Sequence, residues 1–350
     1  MITNKENEVD KIDQAREDMY DVTIIGGGAV GLFTTFYSGM RGLKTKLIEA
    51  SSELGGKITT GFPEKTIRDI GGITEITGIN LVKELIQQAK TFDPTIICGQ
   101  WISELKKLQD GTFKLISSKG DTHYTRTIIL ASGSGIIKPV KLSAQGASQF
   151  ENSNLHYWIH DFDLFKDKHV LISGGGDSAV DWANELHTVA ENITVVHRRD
   201  EFRAFETSVE KMKKQVNVLT PYTIQSIQGK ANKIEQATIE NLETGEIEEV
   251  RVDALLVNHG FSGEFGGIDN WGLMMEQNQI IVNDAMETNI PGVFAAGDVV
   301  TYNNKLNLLA AGFTEGPTAV NSISNYLNPA SDPMGMFSTH HEVLHELKNN

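Results

Sequence analysis

A strand–turn–helix signature occurs twice in this chain, and a chain that must close two such turns has few folds open to it. GGGAVG runs from Gly26 to Gly31, and GGGDSA runs from Gly174 to Ala179. Each follows a short apolar run, Val22 to Ile25 in the first copy and His169 to Ser173 in the second. The copies begin 148 positions apart (174 − 26). In both, the second predicted strand ends 23 residues on, at Glu49 (49 − 26) and His197 (197 − 174). That strand end is where a dinucleotide-binding fold reads the adenosine ribose. The first copy meets it with an acid, in LIEA; the second presents His197, Arg198 and Arg199.

The physics of each copy is the same. Glycines let the turn close and let backbone approach a pyrophosphate, and the helix start offers free amide hydrogens and a positive dipole end. Glu49 accepts hydrogen bonds from a ribose and repels an added 2′-phosphate, whereas His197, Arg198 and Arg199 place donors where that phosphate would lie. At roughly 1.5–3 kcal/mol per charge-assisted bond, two arginines favour NADP over NAD by about two orders of magnitude or more. Matching spacing with contrasting ends predicts two different bound dinucleotides. The fold expected is α/β, with two three-layer Rossmann-like domains.

With 350 residues the chain is long enough for about two domains. Its formal charge of −15 argues against general nucleic-acid or anionic-membrane binding. No apolar stretch approaches the roughly 20 residues that cross a bilayer, and the N-terminus is charged rather than signal-like, so a cytoplasmic enzyme is expected. The single cysteine, Cys98, excludes an intramolecular disulfide or a CxxC pair. It sits in TIICGQ and reads as a small core residue. His340, His341 and His345 invite a metal reading, since 341 and 345 stand four apart, but no other ligand clusters with them, so a solvated helix face and no metal site is expected.

Residues 1–18 are polar and read as a flexible extension. Asn80 to Lys90 has helical spacing of apolar residues, and the stretch from Trp101 to Ser132 alternates like an antiparallel ribbon. The strand ending in Ala-Gly-Asp at Ala296 to Asp298 is followed by a helix expected from about Thr314 to Tyr326. One domain is therefore discontinuous, 19–142 with 289–350, and 150–283 forms a similarly folded insert.

GGGAVG, Glu49, GGGDSAVDWA, HRRDEFRAFE and TNIPGVFAAGDV together resemble the thioredoxin-reductase-like flavoproteins. FPEKTIRDIGG, LHYWIHDFDLF and AAGFTEGPTAVNSI make the resemblance closer to the ferredoxin (flavodoxin)–NADP⁺ reductases of that type, over essentially the whole chain after residue 19. In such proteins the first signature holds FAD and the second NADPH. Thioredoxin reductases carry CxxC just before the second signature; here that stretch reads YWIHD, with Trp158 and Asp161 in place of thiols. Electrons from a flavin would thus leave directly to an external acceptor.

The resemblance implies an FAD site made of Gly26, Gly28, Ala29, Val30, Gly31, Glu49, Gly56, Phe62, Asp69, Asp298, Thr318 and Phe337. Phe62 would lie on one face of the flavin ring, and Phe337, in the C-terminal tail, on the other. Asp298 would accept from a ribityl hydroxyl. Thr318 would stand at a helix start, with Pro317 in its first turn and the dipole aimed at the flavin. The NADPH site would comprise Gly174, Gly176, Asp177, Ser178, Ala179, His197, Arg198 and Arg199, with Arg203 in the same helical entry as Arg199 adding to the phosphate clamp.

The expected activity is hydride transfer from NADPH to FAD, then single electrons to ferredoxin or flavodoxin, in a homodimer. No side-chain acid, base or nucleophile is required, so no catalytic residue is assigned. Two domains joined by a two-segment crossing would rotate to bring the nucleotides together. Acidic carriers would dock on a local basic patch, with Lys106–Lys107 and Lys211–Lys214 as candidates. The alternatives are an NADPH-dependent flavin or quinone reductase, and a non-catalytic redox sensor.

Overall fold

The computed structural model describes residues 19–151, 153–159, 161–330 and 337–346, so the extension 1–18 lies outside the described residues. The described residues fall into two compact units, one within 1–136 and 263–350 and the other within 137–262.

In chain order the elements used below are as follows. The first unit opens with β1 (Tyr20–Ile25), α1 (Ala29–Met40), β2 (Thr45–Ile48), α2 (Gly78–Ala89), β3 (Thr95–Ile97), β4 (Ile102–Lys107), β5 (Phe113–Ser117) and β6 (Thr122–Leu130). The second unit holds β7 (His169–Gly174), α3 (Asp177–Leu186), β8 (Asn192–Val196), α4 (Glu206–Gln215), β9 (Asn217–Leu219), β10 (Tyr222–Lys230), β11 (Lys233–Asn241), β12 (Ile247–Arg251) and β13 (Ala254–Asn258). The first unit is completed by β14 (Val293–Ala295) and α5 (Leu309–Leu327).

The first sheet runs β3-β2-β1-β6-β5-β4, with β14 also paired to β6. Strand β6 shows how the sequence writes this. Its first half pairs antiparallel with β5, while its second half lies parallel between β1 and β14. Burial alternates over the first half and becomes continuous over Thr127–Leu130, the pattern of a strand passing from a one-sided ribbon into a covered parallel sheet. Helix α1 is buried on most sides, including Leu32, Thr34, Thr35 and Phe36. The Thr34 and Thr35 hydroxyls donate to the Val30 and Gly31 carbonyls, which satisfies them without water.

Helix α2 buries Leu81, Val82, Leu85 and Ala89, the face its apolar spacing predicts. Helix α5 starts at Leu309, earlier than expected. Pro317 therefore lies inside the helix, and Thr318 is well past its start.

In the second unit β13, β7, β8 and β9 form a parallel sheet, continued at one edge by the short strand Leu155–His156. The antiparallel meander β10-β11-β12 covers one face through Ile224, Ile227, Ile234 and Ile239, which cluster with Leu171, Val196 and Leu255. Helix α3 buries Val180, Trp182 and Leu186. The unit boundaries differ from the sequence expectation at the second crossing. Residues 263–283 fall in the first unit, because Ile268, Ile280 and Val282 join its core beside Val293 and Phe294. Alternation shows that such residues are buried, not in which core.

Candidate functional site

In the first unit the parallel strands end side by side at one edge, and the glycine turn closes over them. Gly26 has φ +112°, and a Cβ there would stand 2.4 Å from the Ala131 carbonyl oxygen at the end of β6. At Gly31 a Cβ would stand 1.8 Å from the Gly26 oxygen, so helix and strand touch through backbone alone. Gly28 differs. It caps α1 with φ −74° and no side-chain cap, and no acid lies in the helix's first turn. A Cβ at Gly28 would meet only Gly56 Cα, at 4.0 Å. The turn therefore keeps open space before uncapped helix amides, the arrangement that suits a phosphate. Gly55 donates its amide to the Gly27 oxygen at 2.8 Å, so this second glycine pair holds the far wall beside Gly56.

Glu49 follows β2 and is buried. Its Oε2 accepts from the Gly27 amide at 2.6 Å, and its Oε1 from the Ser51 amide at 2.7 Å. Each carboxylate oxygen keeps acceptor capacity beyond one bond, enough for a ribose hydroxyl. The Ala296 amide donates to Leu130 O at 2.9 Å, which seats Ala296–Asp298 against the end of β6. Asp298 itself is exposed. Ser132 Oγ, two residues past β6, is buried and has no hydrogen-bond partner among the described residues. A buried orphan acceptor-donor beside an open glycine turn fits a hydroxyl-rich ligand.

Other expected residues stand differently. Phe62 is half-buried and packs on the hydrophobic core, and Asp69 is exposed just after the strand Thr66–Ile67. Thr318 is not at a helix start: its hydroxyl donates to the Thr314 carbonyl at 2.9 Å within α5. The free amides of α5 belong to its real beginning, where Leu308 is the N-cap and carries no side-chain cap. Arg203 is not helical either, since α4 begins at Glu206.

Phe337 is 60% exposed, and its ring meets His340. The tail is anchored by His341, which hydrogen-bonds the Met40 carbonyl and packs on Phe92. That is the C-terminal end of α1, about 17 Å from its phosphate-facing start at 1.5 Å per residue. Among the described residues the ring contact of Phe337 is to His340 and not to a cradle residue. Cys98 is half-buried just past β3 rather than in the core. Burial and the neighbouring Glu49 raise its thiol pKa above the ordinary value.

The second unit repeats the design. A cleft of about 740 Å³ is lined by the glycine turn, the His197–Arg199 segment, Arg203 and His259. Gly176 caps α3 without a side chain, and a Cβ there would meet only the Arg203 oxygen, at 3.9 Å. The middle glycine is closed by the neighbouring strand end: a Cβ on Gly175 would stand 2.2 Å from His197 Cε1. His197 thus occupies over Gly175 the place Glu49 takes over Gly27. The Arg203 amide donates to the Gly175 oxygen at 2.7 Å, which draws the 198–205 loop over the turn.

Asp177 is exposed in the first turn of α3, and Ala179 is fully buried, backing the turn rather than facing the cleft. Burial lowers the His197 pKa below its usual value and Arg198 and Arg199 add to this, against a hydrogen bond to the Glu201 carbonyl.

Residues missed from sequence complete the second cleft. Asn258 ends β13 opposite Gly174, and its Oδ1 is buried without a hydrogen-bond partner among the described residues. His259 follows and hydrogen-bonds Ser173 Oγ at 2.8 Å. The available signal was LLVNHG, a strand ending on polar residues, but only the strand order shows that it ends beside the glycines. Among the described residues no group of three or more His, Cys, Asp or Glu is placed to hold a metal, and no helix is long and apolar enough to cross a membrane.

The sequence matches the family described as pyridine nucleotide-disulphide oxidoreductase over residues 20–322. A ferredoxin–NADP reductase 1 of Bacillus velezensis is 52% identical over 93% of this chain and 98% of its own length. A ferredoxin–NADP reductase of Halalkalibacterium halodurans is 46% identical over 90% and 96%. Among solved structures, the thioredoxin reductase of Lactococcus lactis superposes with a TM-score of 0.74 at 27% identity, covering 88% of this chain and 99% of its own.

Proposed function

The chain belongs to the pyridine nucleotide-disulphide oxidoreductase family, and we propose that within it the chain works as an FAD-dependent ferredoxin–NADP⁺ reductase. The observation that carries this is the pair of uncapped glycine cradles whose strand ends differ in charge, Glu49 in one unit and His197-Arg198-Arg199 in the other. The Glu49 cradle would hold FAD: α1 amides on the pyrophosphate, Glu49 and Ser132 on hydroxyls, Asp298 on the ribityl chain. The second cradle would hold NADPH, with α3 amides on its pyrophosphate and Arg198 and Arg199 on the 2′-phosphate. Held by these residues, FAD would supply the hydride acceptor for the nicotinamide and a source of single electrons.

The chain's own contribution to that chemistry is binding and exclusion. Glu49 rejects a 2′-phosphate from the first cradle by like charge, and the arginines select it in the second. No protein disulfide intervenes, since Cys98 is the sole cysteine. Electrons must therefore reach an external carrier, and ferredoxin or flavodoxin is the proposed partner.

Two lysine candidates for its docking are already engaged: Lys106 pairs with Glu104, and Lys107 donates to the Pro291 carbonyl. On helix α4, Lys213 lies over the Phe202 ring, while Lys211 and Lys214 are exposed. A cytoplasmic homodimer is the proposed working form, to be checked by sedimentation.

NADPH-driven cytochrome c reduction with and without added ferredoxin or flavodoxin tests the reading. Strong carrier dependence is expected. Carrier-independent reduction of free flavin or quinones would mark the alternative reductase, and no flavin bleaching by NADPH would mark a sensor.

A further inference from the structure

Outside the two cradles, the first unit buries a charged pair, Glu315 on α5 and Lys305 in the loop before it. Their side chains are 3% and 8% exposed. The Glu315 carboxylate gathers three donors. Oε2 accepts from the Gly297 amide at 2.7 Å; Oε1 accepts from the Tyr302 hydroxyl at 2.8 Å and from Lys305 Nζ. Those donors mark the whole connection from the end of β14 to the start of α5.

The first donor, Gly297, has φ +87°, and a Cβ there would stand 3.2 Å from Val30 of α1. Glycines on either side of Glu315 set α5 against the same helix. A Cβ at Gly312 would stand 2.4 Å from Val30 Cγ2, and one at Gly316 would stand 2.1 Å from Thr34 Oγ1.

A buried ion pair is a poor way to add stability, because desolvating two charges costs about as much as their attraction returns. Apolar residues of similar volume would hold α5 to α1 as well. What they would not do is fix a backbone amide next to Asp298. We propose that Glu315, held by Lys305 and Tyr302, is a positioning residue for FAD: it locks the Gly297–Asp298 turn and the start of α5 against the first cradle. It touches no cofactor atom itself. The inference rests on the reading that FAD occupies this cradle.

The test compares apoprotein of the wild type, Glu315→Met, Lys305→Met and the double Glu315→Met/Lys305→Met variant. Melting temperature is measured without cofactor, and FAD Kd by quenching of flavin fluorescence. Each single variant leaves one charge buried alone and is expected to melt lower. The double variant is expected to regain the wild-type melting temperature within a few degrees, yet to bind FAD about tenfold or more weakly, with an altered visible spectrum of the bound flavin.

Recovered FAD affinity in the double variant would make the pair merely structural and overturn the proposal. If the single variants do not fold, the double variant still decides. Wild-type apoprotein that binds no FAD would instead defeat the assignment of the first cradle.

Discussion

Removing the cations at the end of β8 gives the sharpest test of how the two nucleotides are told apart. Arg198 and Arg199 follow His197 on the rim of the second cleft, and both are exposed. Exposure sets the magnitude. Solvent screening places each phosphate contact at the low end of the charge-assisted range, about 1.5 kcal/mol. The Arg198→Ala/Arg199→Ala variant should then lose about 3 kcal/mol of NADPH binding, roughly 150-fold in Kd.

NADH lacks the 2′-phosphate, so its Kd should move by less than about threefold, and the NADPH-over-NADH preference should collapse by nearly the full factor. Titration of both nucleotides into FAD-loaded protein reads this directly. Wild-type NADPH affinity should weaken with added salt more steeply than that of the variant. Equal losses for NADPH and NADH would refute the reasoning, since they would show the arginines acting on something both nucleotides share.

Four other outcomes follow from the same geometry. Gly28→Ala puts a methyl into open space at an ordinary φ, so the apoprotein should keep its stability within about 1 kcal/mol while FAD affinity falls. Gly31→Ala meets backbone at 1.8 Å and should cost about 3 kcal/mol or more in the apoprotein melt. Burial lowers the pKa of His259, with Arg198 and His197 adding to it, and burial also lowers that of His197. A histidine whose folded pKa lies below its unfolded value leaves the unfolded chain binding more protons. Its stability is complete above the unfolded pKa of about 6.5 and is lost as pH falls below that. The melting temperature should therefore drop on acidification, and by less in a His197→Asn/His259→Asn variant; an unchanged drop contradicts this. Cys98→Ser should keep full carrier reduction, because the thiol is half-buried with a raised pKa; a severe loss would show that electrons pass through it.

Much of the site was legible because its rules are local. A glycine turn after an apolar run, a fixed distance to the next strand end, and the charge at that end are all properties of contiguous sequence. What failed was non-local. Pro317 reads as a first-turn residue, since an interior proline costs a helix about 3 kcal/mol. Yet α5 runs through it, because Gly312 and Gly316 let the helix close onto α1 and the packing outweighs that cost. Arg203 looked helical beside Glu206, but its amide is spent on Gly175. Residues 263–283 carry ordinary alternation, and only their contacts show which core takes them.

The sequence by itself determined that there are two glycine turns of matching spacing, that one strand end is acidic and the other basic, and that a single cysteine leaves no dithiol. Backbone sterics and side-chain charge act over a few residues, so the string of letters suffices. Only the tertiary structure decided which distant groups complete each cradle. Ser132, Asn258 and His259 reach their places because parallel strands end together, and Glu315 reaches the Gly297 amide because α5 folds back on α1. Those neighbours are far apart in the chain, and nothing local encodes their meeting.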